Sequence, residues 1–235
     1  MKDVSNLITT RLKADHIAFL NSVAEVAAHN QVSVYVVGGF VRDLLLNIEN
    51  VDIDLVVEGD GIVFAEKLAE KFDGRTSKYK KFGTATLMLQ GRPSIDVATA
   101  RTESYSCPAA LPDVEPSSIK QDLARRDFTV NSMAVKLRGR GTFYLIDLFG
   151  GEIDLKDGLI RVLHDQSFVD DPCRFFRAIR FEQRLEFCIN GQTEQLMRSA
   201  IKNNLIDQLS GDRLMNEMKI LLSEADPVRC VDRMR

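Results

Sequence analysis

Val34-Tyr35-Val36-Val37-Gly38-Gly39-Phe40-Val41-Arg42-Asp43, followed by Val51-Asp52-Ile53-Asp54-Leu55-Val56-Val57, is the stretch whose reading decides the fold. Val34–Val37 is a short apolar run of the kind that makes a buried strand. The two glycines let backbone come close to a ligand. Residues 40–46 are apolar-rich and read as a short helix. Asn47 is suited to closing it, because asparagine tolerates the left-handed conformation. A helix N-terminus offers unpaired N–H groups and the positive end of a dipole, which suits phosphate, and Arg42 adds a permanent cation. Residues 51–57 read as a second strand, with Asp52 and Asp54 on one face and Ile53 on the other. Two such carboxylates repel unless a cation lies between them, and Mg2+ takes a few carboxylates together with phosphates and waters. Alone, an Asp-x-Asp is most often a solvated strand face and a Gly-Gly a turn. Their succession within residues 34–57 points to a site that grips a triphosphate beside divalent metal. Two ions there can activate an attacking hydroxyl and stabilise leaving pyrophosphate.

This succession resembles the nucleotidyltransferase superfamily with the polymerase-β-like palm. In particular it resembles the class II tRNA nucleotidyltransferase and bacterial poly(A) polymerase family. Three further segments carry the resemblance. Arg125-Arg126-Asp127-Phe128-Thr129-Val130-Asn131 resembles the RRDFTxN motif. Asp170-Asp171-Pro172-Cys173-Arg174 resembles the EDxxR motif, with residues 175–181 as the helix after it. Arg213-Leu214-Met215-Asn216-Glu217 resembles the late RxxxE motif. Two departures are Asp170, where glutamate is usual, and Asn47, where glycine is usual. Family members continue past the late motif into helical body and tail domains that grip tRNA, and this chain stops there.

The resemblance implies an α+β fold: a polymerase-β-like palm, a small mixed sheet with helices, followed by an all-helical neck. Residues 1–155 are then the catalytic head and 156–235 the neck. The implied activity is template-independent transfer of AMP or CMP from ATP or CTP to the 3′ end of tRNA, releasing pyrophosphate. It builds either the whole CCA end or only its terminal A. Cys107-Pro108-Ala109-Ala110-Leu111-Pro112, leading to Ser117-Ser118-Ile119-Lys120, resembles tRNA-repair members, including A-adding ones. A poly(A) polymerase is the runner-up. A catalytically silent nucleotide- or RNA-binding module is the alternative from another class, and the intact Asp52-x-Asp54 argues against it.

The implied roles follow residue by residue. Asp52 and Asp54 hold Mg2+, with Asp96 as a third acid; a strand-end carboxylate bonded to Arg101 is an equal alternative for Asp96. Gly38, Gly39 and Arg42 hold the triphosphate. Asp171 and Arg174 stand one helical turn apart. One accepts and the other donates hydrogen bonds, so together they can match the Watson–Crick edge of A or C; an i,i+3 salt bridge is the alternative. Arg125 and Arg126 suit phosphate, with a solvated face as the alternative for such a pair, and Asp127 and Asn131 suit a ribose hydroxyl. Arg177 and Arg180 follow Arg174 at three-residue spacing and make one cationic side suited to phosphate. Arg213 and Glu217 brace the preceding helix. His164 reads as structural, and His16 and His29 as surface residues.

With 235 residues, the chain can hold one medium domain and a smaller one, and 45% hydrophobic residues give it a core. A formal charge of -3 does not advertise nucleic-acid binding, so RNA contact must come from local basic patches. The four cysteines form neither CxxC nor a zinc pattern and read as buried, reduced thiols of a cytosolic protein. No long apolar run or signal-like N-terminus occurs, so the expectation is a cytoplasmic protein with no membrane contact.

Helical spacing of Ile17, Leu20, Val23, Ala24 and Ala27 predicts a helix capped by Asp15. Another is predicted over 60–72, and strands over 84–89, 95–98 and 142–148. Lys78, Lys80 and Lys81 form a basic run. Residues 105–118, with three prolines, read as a mobile loop. Residues 147–155 resemble the family's flexible loop. Helices gathered after a mixed sheet agree with α+β.

Overall fold

The computed structural model describes residues 1–50, 52–139 and 141–234. Val51, the first residue of the predicted second strand, lies outside the described residues. The chain divides into two compact units. One comprises Met1–Thr102, Val114–Arg126 and Asn131–Gly151; the other comprises Glu103–Asp113, Asp127–Val130 and Glu152–Arg235.

The chain runs β1 (Lys2–Asp3), α1 (Ser5–Arg11), α2 (Ala14–His29), β2 (Ser33–Val37), α3 (Gly39–Leu46), β3 (Asp54–Glu58) and α4 (Gly61–Phe72). It continues through β4 (Arg75–Tyr79), β5 (Thr84–Met88), β6 (Ile95–Thr99), β7 (Arg101–Ser104), β8 (Asp113–Pro116), α5 (Ile119–Ala124), β9 (Met133–Arg138) and β10 (Thr142–Asp147). Eight strands form one mixed sheet in the order β1-β10-β9-β2-β3-β6-β5-β4. All neighbours are antiparallel except β3 and β6, which run parallel. This is the expected architecture, with a larger sheet. β4 escaped prediction because it is a polar edge strand, as edges tend to be, and β9 because it follows directly on a motif segment.

Both faces of the sheet are buried at its centre. Tyr35, Val37, Val56 and Ala134 pack with Ile119 and Leu123 of α5 on one face. Val34, Val36, Leu55 and Val57 alternate onto the other and are equally buried. Local chemistry sets the helix ends. Asp60 accepts from the N–H groups of Ile62 and Val63 at the start of α4. Asn47 closes α3 at φ 59°. Lys13 is the N-cap of α2 and Asp15 lies in its first turn, so the predicted cap moves by two residues.

The second unit carries α6 (Gly151–Asp157), β11 (Leu159–Ile160), α7 (Ser167–Asp170), α8 (Arg174–Leu185), β12 (Cys188–Ile189), α9 (Gly191–Lys202), α10 (Gly211–Leu222) and α11 (Pro227–Arg233). It is helical except for a small parallel pair, β11 with β12, which corrects the all-helical expectation. Its core centres on Phe175, Phe176, Ala178, Ile179 and Phe181 of α8. Phe181 meets Phe128 edge-on at 5.8 Å. Two loop expectations also change. Residues 113–116 of the proline-containing loop form β8, which pairs with β7. The 147–155 segment folds as a turn, in which Asp147 Oδ1 accepts from Gly151 N–H at 2.9 Å, and then as α6. All four cysteines are free; Cys173 and Cys230 are buried but Cys107 and Cys188 are exposed. Among the described residues no helix is long and apolar enough to cross a membrane.

Candidate active site

β3 begins at Asp54, and Asp52 and Ile53 precede it. The Asn50 side chain captures the Asp52 N–H at 2.8 Å, a local turn that competes with the sheet ladder. Asp52 therefore stands just before the strand. The alternation nevertheless survives: Asp52 and Asp54 are exposed and Ile53 is buried. Asp54 is paired in register with Asp96 on the parallel neighbour β6. By strand parity both share the face of Tyr35, Val56 and Ala98, the face that α5 covers. Asp96 accepts from the Thr86 hydroxyl at 2.8 Å, and Arg101 donates to the Phe82 carbonyl at 3.0 Å.

Solvent reaches Asp54, yet enough protein surrounds its carboxyl to push it up to about 6. Desolvation is the largest cause, the Asp96 charge is next, and Asp52 adds to both, against the opposing charge of Arg126. A carboxyl raised in this way by burial and neighbouring carboxylates suits a shared cation. Among the described residues no group of three or more acidic, histidine or cysteine side chains is placed to hold a metal ion by itself. An open pair of acids suits Mg2+, which keeps waters and phosphates as its other ligands.

Gly38 takes φ 71°, a conformation open to glycine. A Cβ there would lie 3.0 Å from Arg126 Nη1 and 4.0 Å from Asp54 Oδ2. The bare turn, the guanidinium and the carboxylate thus crowd one spot. Arg126 Nε is buried and has no hydrogen-bond partner, an open donor of the kind a phosphate or ribose oxygen would satisfy. Its Nη2 donates to Asp122 at 3.0 Å, and Arg125 grips the same carboxylate through Nη2 at 2.7 Å.

Arg42 departs from expectation. It is 5% exposed and turned inward. Its Nε and Nη2 donate to the two oxygens of Asp43, and its Nη1 donates to Asn131 Oδ1 at 2.7 Å. Asp43 in turn accepts from Asn50 Nδ2 at 2.6 Å. A buried guanidinium needs such acceptors. The result is a chain of bonds from Asn131 through Arg42, Asp43 and Asn50 to the Asp52 backbone. Arg42 and Asn131 brace the turn that presents Asp52. Sequence reading missed Asp43, Asn50 and Asp122; of these only Asp122 leaves a signal, its i+3 and i+4 arginines.

In the second unit, Asp171 is not helical. Its φ of -138° and ψ of 95° are extended, because a residue before proline is kept out of the α region and Pro172 follows. Its Oδ1 accepts from Cys173 N–H at 2.9 Å and from Arg213 Nη2 at 2.7 Å. Arg213 Nη1 also donates to the Ala109 carbonyl at 2.7 Å, so Arg213 ties Asp171 to the loop at Ala109 rather than bracing a helix. Arg174 starts α8, is buried, and donates to the Ser167 hydroxyl at 2.6 Å. The Tyr105 hydroxyl donates to Glu103 at 3.0 Å. Burial pushes the His164 imidazole down, and the Arg174 charge adds to this.

The cationic side of α8 is covered by carboxylates. Arg177 donates through Nε and Nη2 to Asp127 Oδ2 at 2.9 and 2.6 Å. Arg180 is 6% exposed and donates to Glu224 at 3.0 Å and Glu217 at 3.4 Å. Arg180 is enclosed while Arg177 is half-buried, and buried charge is kept only where it is paired. In this structure Arg180 is enclosed in ion pairs with Glu217 and Glu224 rather than open to a phosphate.

A family model described as the poly A polymerase head domain matches residues 34–161. A second, described as a probable RNA and SrmB-binding site of polymerase A, matches residues 186–235. The chain is 49% identical to an A-adding tRNA nucleotidyltransferase of Geobacter sulfurreducens over 99% of its own length and 26% of that protein's. Its fold matches a CCA-adding enzyme solved with ATP at a TM-score of 0.89 and 46% identity, covering 99% of this chain and 54% of that one. It matches the Thermotoga maritima CCA-adding enzyme complexed with tRNA-CCA at a TM-score of 0.87 and 45% identity, covering 99% and 53%. The chain thus spans about a quarter to a half of the proteins it resembles. With the head-domain model matched over more than half of its residues, the chain belongs to the tRNA nucleotidyltransferase and poly(A) polymerase family.

Proposed function

We propose that this protein transfers AMP from ATP to the 3′ end of tRNA, completing the CCA end. The observation that carries this reading is the paired register of Asp54 and Asp96, beside Asp52, Gly38 and Arg126. In the reaction the tRNA 3′-hydroxyl oxygen bonds to the α-phosphorus. The bond to the β-phosphate oxygen breaks and pyrophosphate leaves. Asp52 and Asp54, with Asp96 beside them, would hold Mg2+, which would supply Lewis-acid stabilisation of the charge that develops on the phosphate. The bare Gly38–Gly39 turn and the α3 N-terminus receive the triphosphate, and Arg126 offers its open Nε to an oxygen of the nucleotide. Arg42, Asp43 and Asn50 keep Asp52 in place.

In this account residues 1–155 serve as the catalytic head and 156–235 as the base-selecting neck. Asp171 and Arg174 select the base, with Arg213 holding the Asp171 carboxylate. Asp127, held by Arg177, orients toward the ribose. Support for tRNA and for ATP comes from the A-adding relative and from the solved CCA-adding enzymes. The cytoplasm is the compartment we infer for such a reaction.

The test is extension of tRNAs ending before C, at CC and at CCA, each with ATP or CTP alone. AMP added to the CC end only is the expected result. CMP addition would extend the activity to the whole CCA end, a long adenylate tract would make it a poly(A) polymerase, and no extension would defeat the reading. A second expectation concerns base choice. Losing one partner of a polar recognition pair costs about 1–3 kcal/mol. Arg174→Ala or Asp171→Ala should therefore lose most of the preference for ATP over GTP, measured as kcat/KM for each triphosphate on one tRNA. An unchanged preference at comparable rate would leave the pair as plain structure.

A further inference from the structure

We propose that Asp122 is a positioning residue whose buried carboxylate holds the Arg126 guanidinium off Asp54, so that Asp52, Asp54 and Asp96 stay open to a divalent cation. The inference rests on the metal reading of that face.

Asp122 has no exposed surface, and both of its oxygens are in use. Oδ1 accepts from Arg125 Nε at 3.1 Å and Nη2 at 2.7 Å; Oδ2 accepts from Arg126 Nη2 at 3.0 Å. A fully buried carboxylate is costly and persists only where it is paired. The pairing here goes to two arginines placed three and four residues on, so that both fold back over α5.

An arginine is a hazardous companion for metal acids. Nη1 of Arg126 and Oδ2 of Asp54 both lie against Gly38, at 3.0 and 4.0 Å from where its Cβ would stand. Arginine takes carboxylates in short, charge-assisted, often bidentate bonds. An untethered Arg126 would close on Asp54 and occupy the oxygens a cation needs. Arg126 Nε has no partner, so the Nη2 bond to Asp122 is the tether that directs the group. Asp122→Asn keeps the shape and an acceptor but removes the charge that competes with Asp54 for the guanidinium.

The test is Mn2+ binding, followed by the EPR signal of the free ion, without nucleotide or tRNA. The proteins are wild type, Asp54→Asn, Asp122→Asn, Asp122→Glu and the double variant Asp122→Asn with Arg126→Gln. Asp122→Asn should bind Mn2+ about tenfold more weakly, the size of one competing charge-assisted bond. The double variant should regain wild-type affinity or exceed it, because the stray cation is gone. Asp122→Glu, which keeps the charge, should stay within about twofold of wild type. A purely structural role would instead lower the melting temperature of Asp122→Asn with no recovery of metal affinity in the double variant. That result, or wild-type binding by Asp122→Asn, overturns the proposal. Should Asp122→Asn not fold, weak binding by both the Glu and the double variant overturns it. Equal binding by wild type and Asp54→Asn would sink the metal reading and this inference together. A clear Asp54→Asn defect beside an unaffected Asp122→Asn would sink the inference alone.

Discussion

Asp54→Asn should abolish nucleotide incorporation and leave the protein folded. Asp54 sits at the first residue of β3, exposed and in register with Asp96, and makes no contribution to the apolar core. Its carboxyl is destabilised in the folded protein by burial and by neighbouring carboxylates. Neutralising it therefore removes a repulsion, and the melting temperature should hold or rise slightly. Activity should fall steeply, because losing a metal ligand costs several kcal/mol of transition-state stabilisation. That is at least about a hundredfold in rate. Single-turnover incorporation of labelled ATP at saturating Mg2+, paired with a thermal melt, checks both halves. Turnover within a few-fold of wild type would remove Asp54 from the metal site.

Arg180→Ala should produce the largest loss of stability. Arg180 is buried against Glu217 and Glu224 in the second unit. Removing one partner of a buried pair leaves carboxylates without compensation and costs about 3–5 kcal/mol. Arg184 still holds Glu224, so the lower end applies, about 3 kcal/mol. For a chain of this size that is a fall in Tm of about 6–12 °C. Arg180→Met, which fills the volume, should not rescue it, because Glu217 stays ionisable and loses its hydrogen-bonded partner, keeping only the charge of Arg177 nearby. Differential scanning calorimetry decides the matter. An unaltered Tm with a raised KM for ATP would instead return Arg180 to the phosphate-binding role that its spacing predicts.

Local chemistry explains which parts of the fold are legible in the sequence. Asn47 at a left-handed helix end, Asp60 at a helix start and the apolar run of β2 each follow from neighbours a few residues away. The alternation of Asp52, Ile53 and Asp54 also reads directly, although the turn made by Asn50 keeps Asp52 out of the strand. Pro172 keeps Asp171 extended, since the residue before proline avoids the helix, so the i,i+3 spacing from Asp171 to Arg174 does not put the two on one helix face. Arg42 and Arg180 are different. Arg42 holds its neighbour Asp43 but is also tied to the distant Asn131, and the partners of Arg180, Glu217 and Glu224, lie far along the chain. Only the tertiary fold shows that these guanidiniums are enclosed. Arginine spacing on a helix states which side is charged, not whether acids elsewhere cover that side. The polar edge strand β4 and the ribbon of β7 and β8 lack a strong apolar period, so they read as basic run and loop.

The central claim is a division of labour: the carboxylate face performs the transfer, while Asp171 and Arg174 choose the base. The most direct measurement is single-nucleotide incorporation with each of ATP, CTP, GTP and UTP on one tRNA ending in CC, for the Asp52, Asp54, Asp171 and Arg174 alanine variants. The account predicts that the Asp52 and Asp54 variants lose rate for all four triphosphates alike, and that the Asp171 and Arg174 variants change the ranking among them. Asp52 or Asp54 variants that reorder the triphosphates at near-normal rate, beside Asp171 and Arg174 variants that keep the wild-type order, would contradict it.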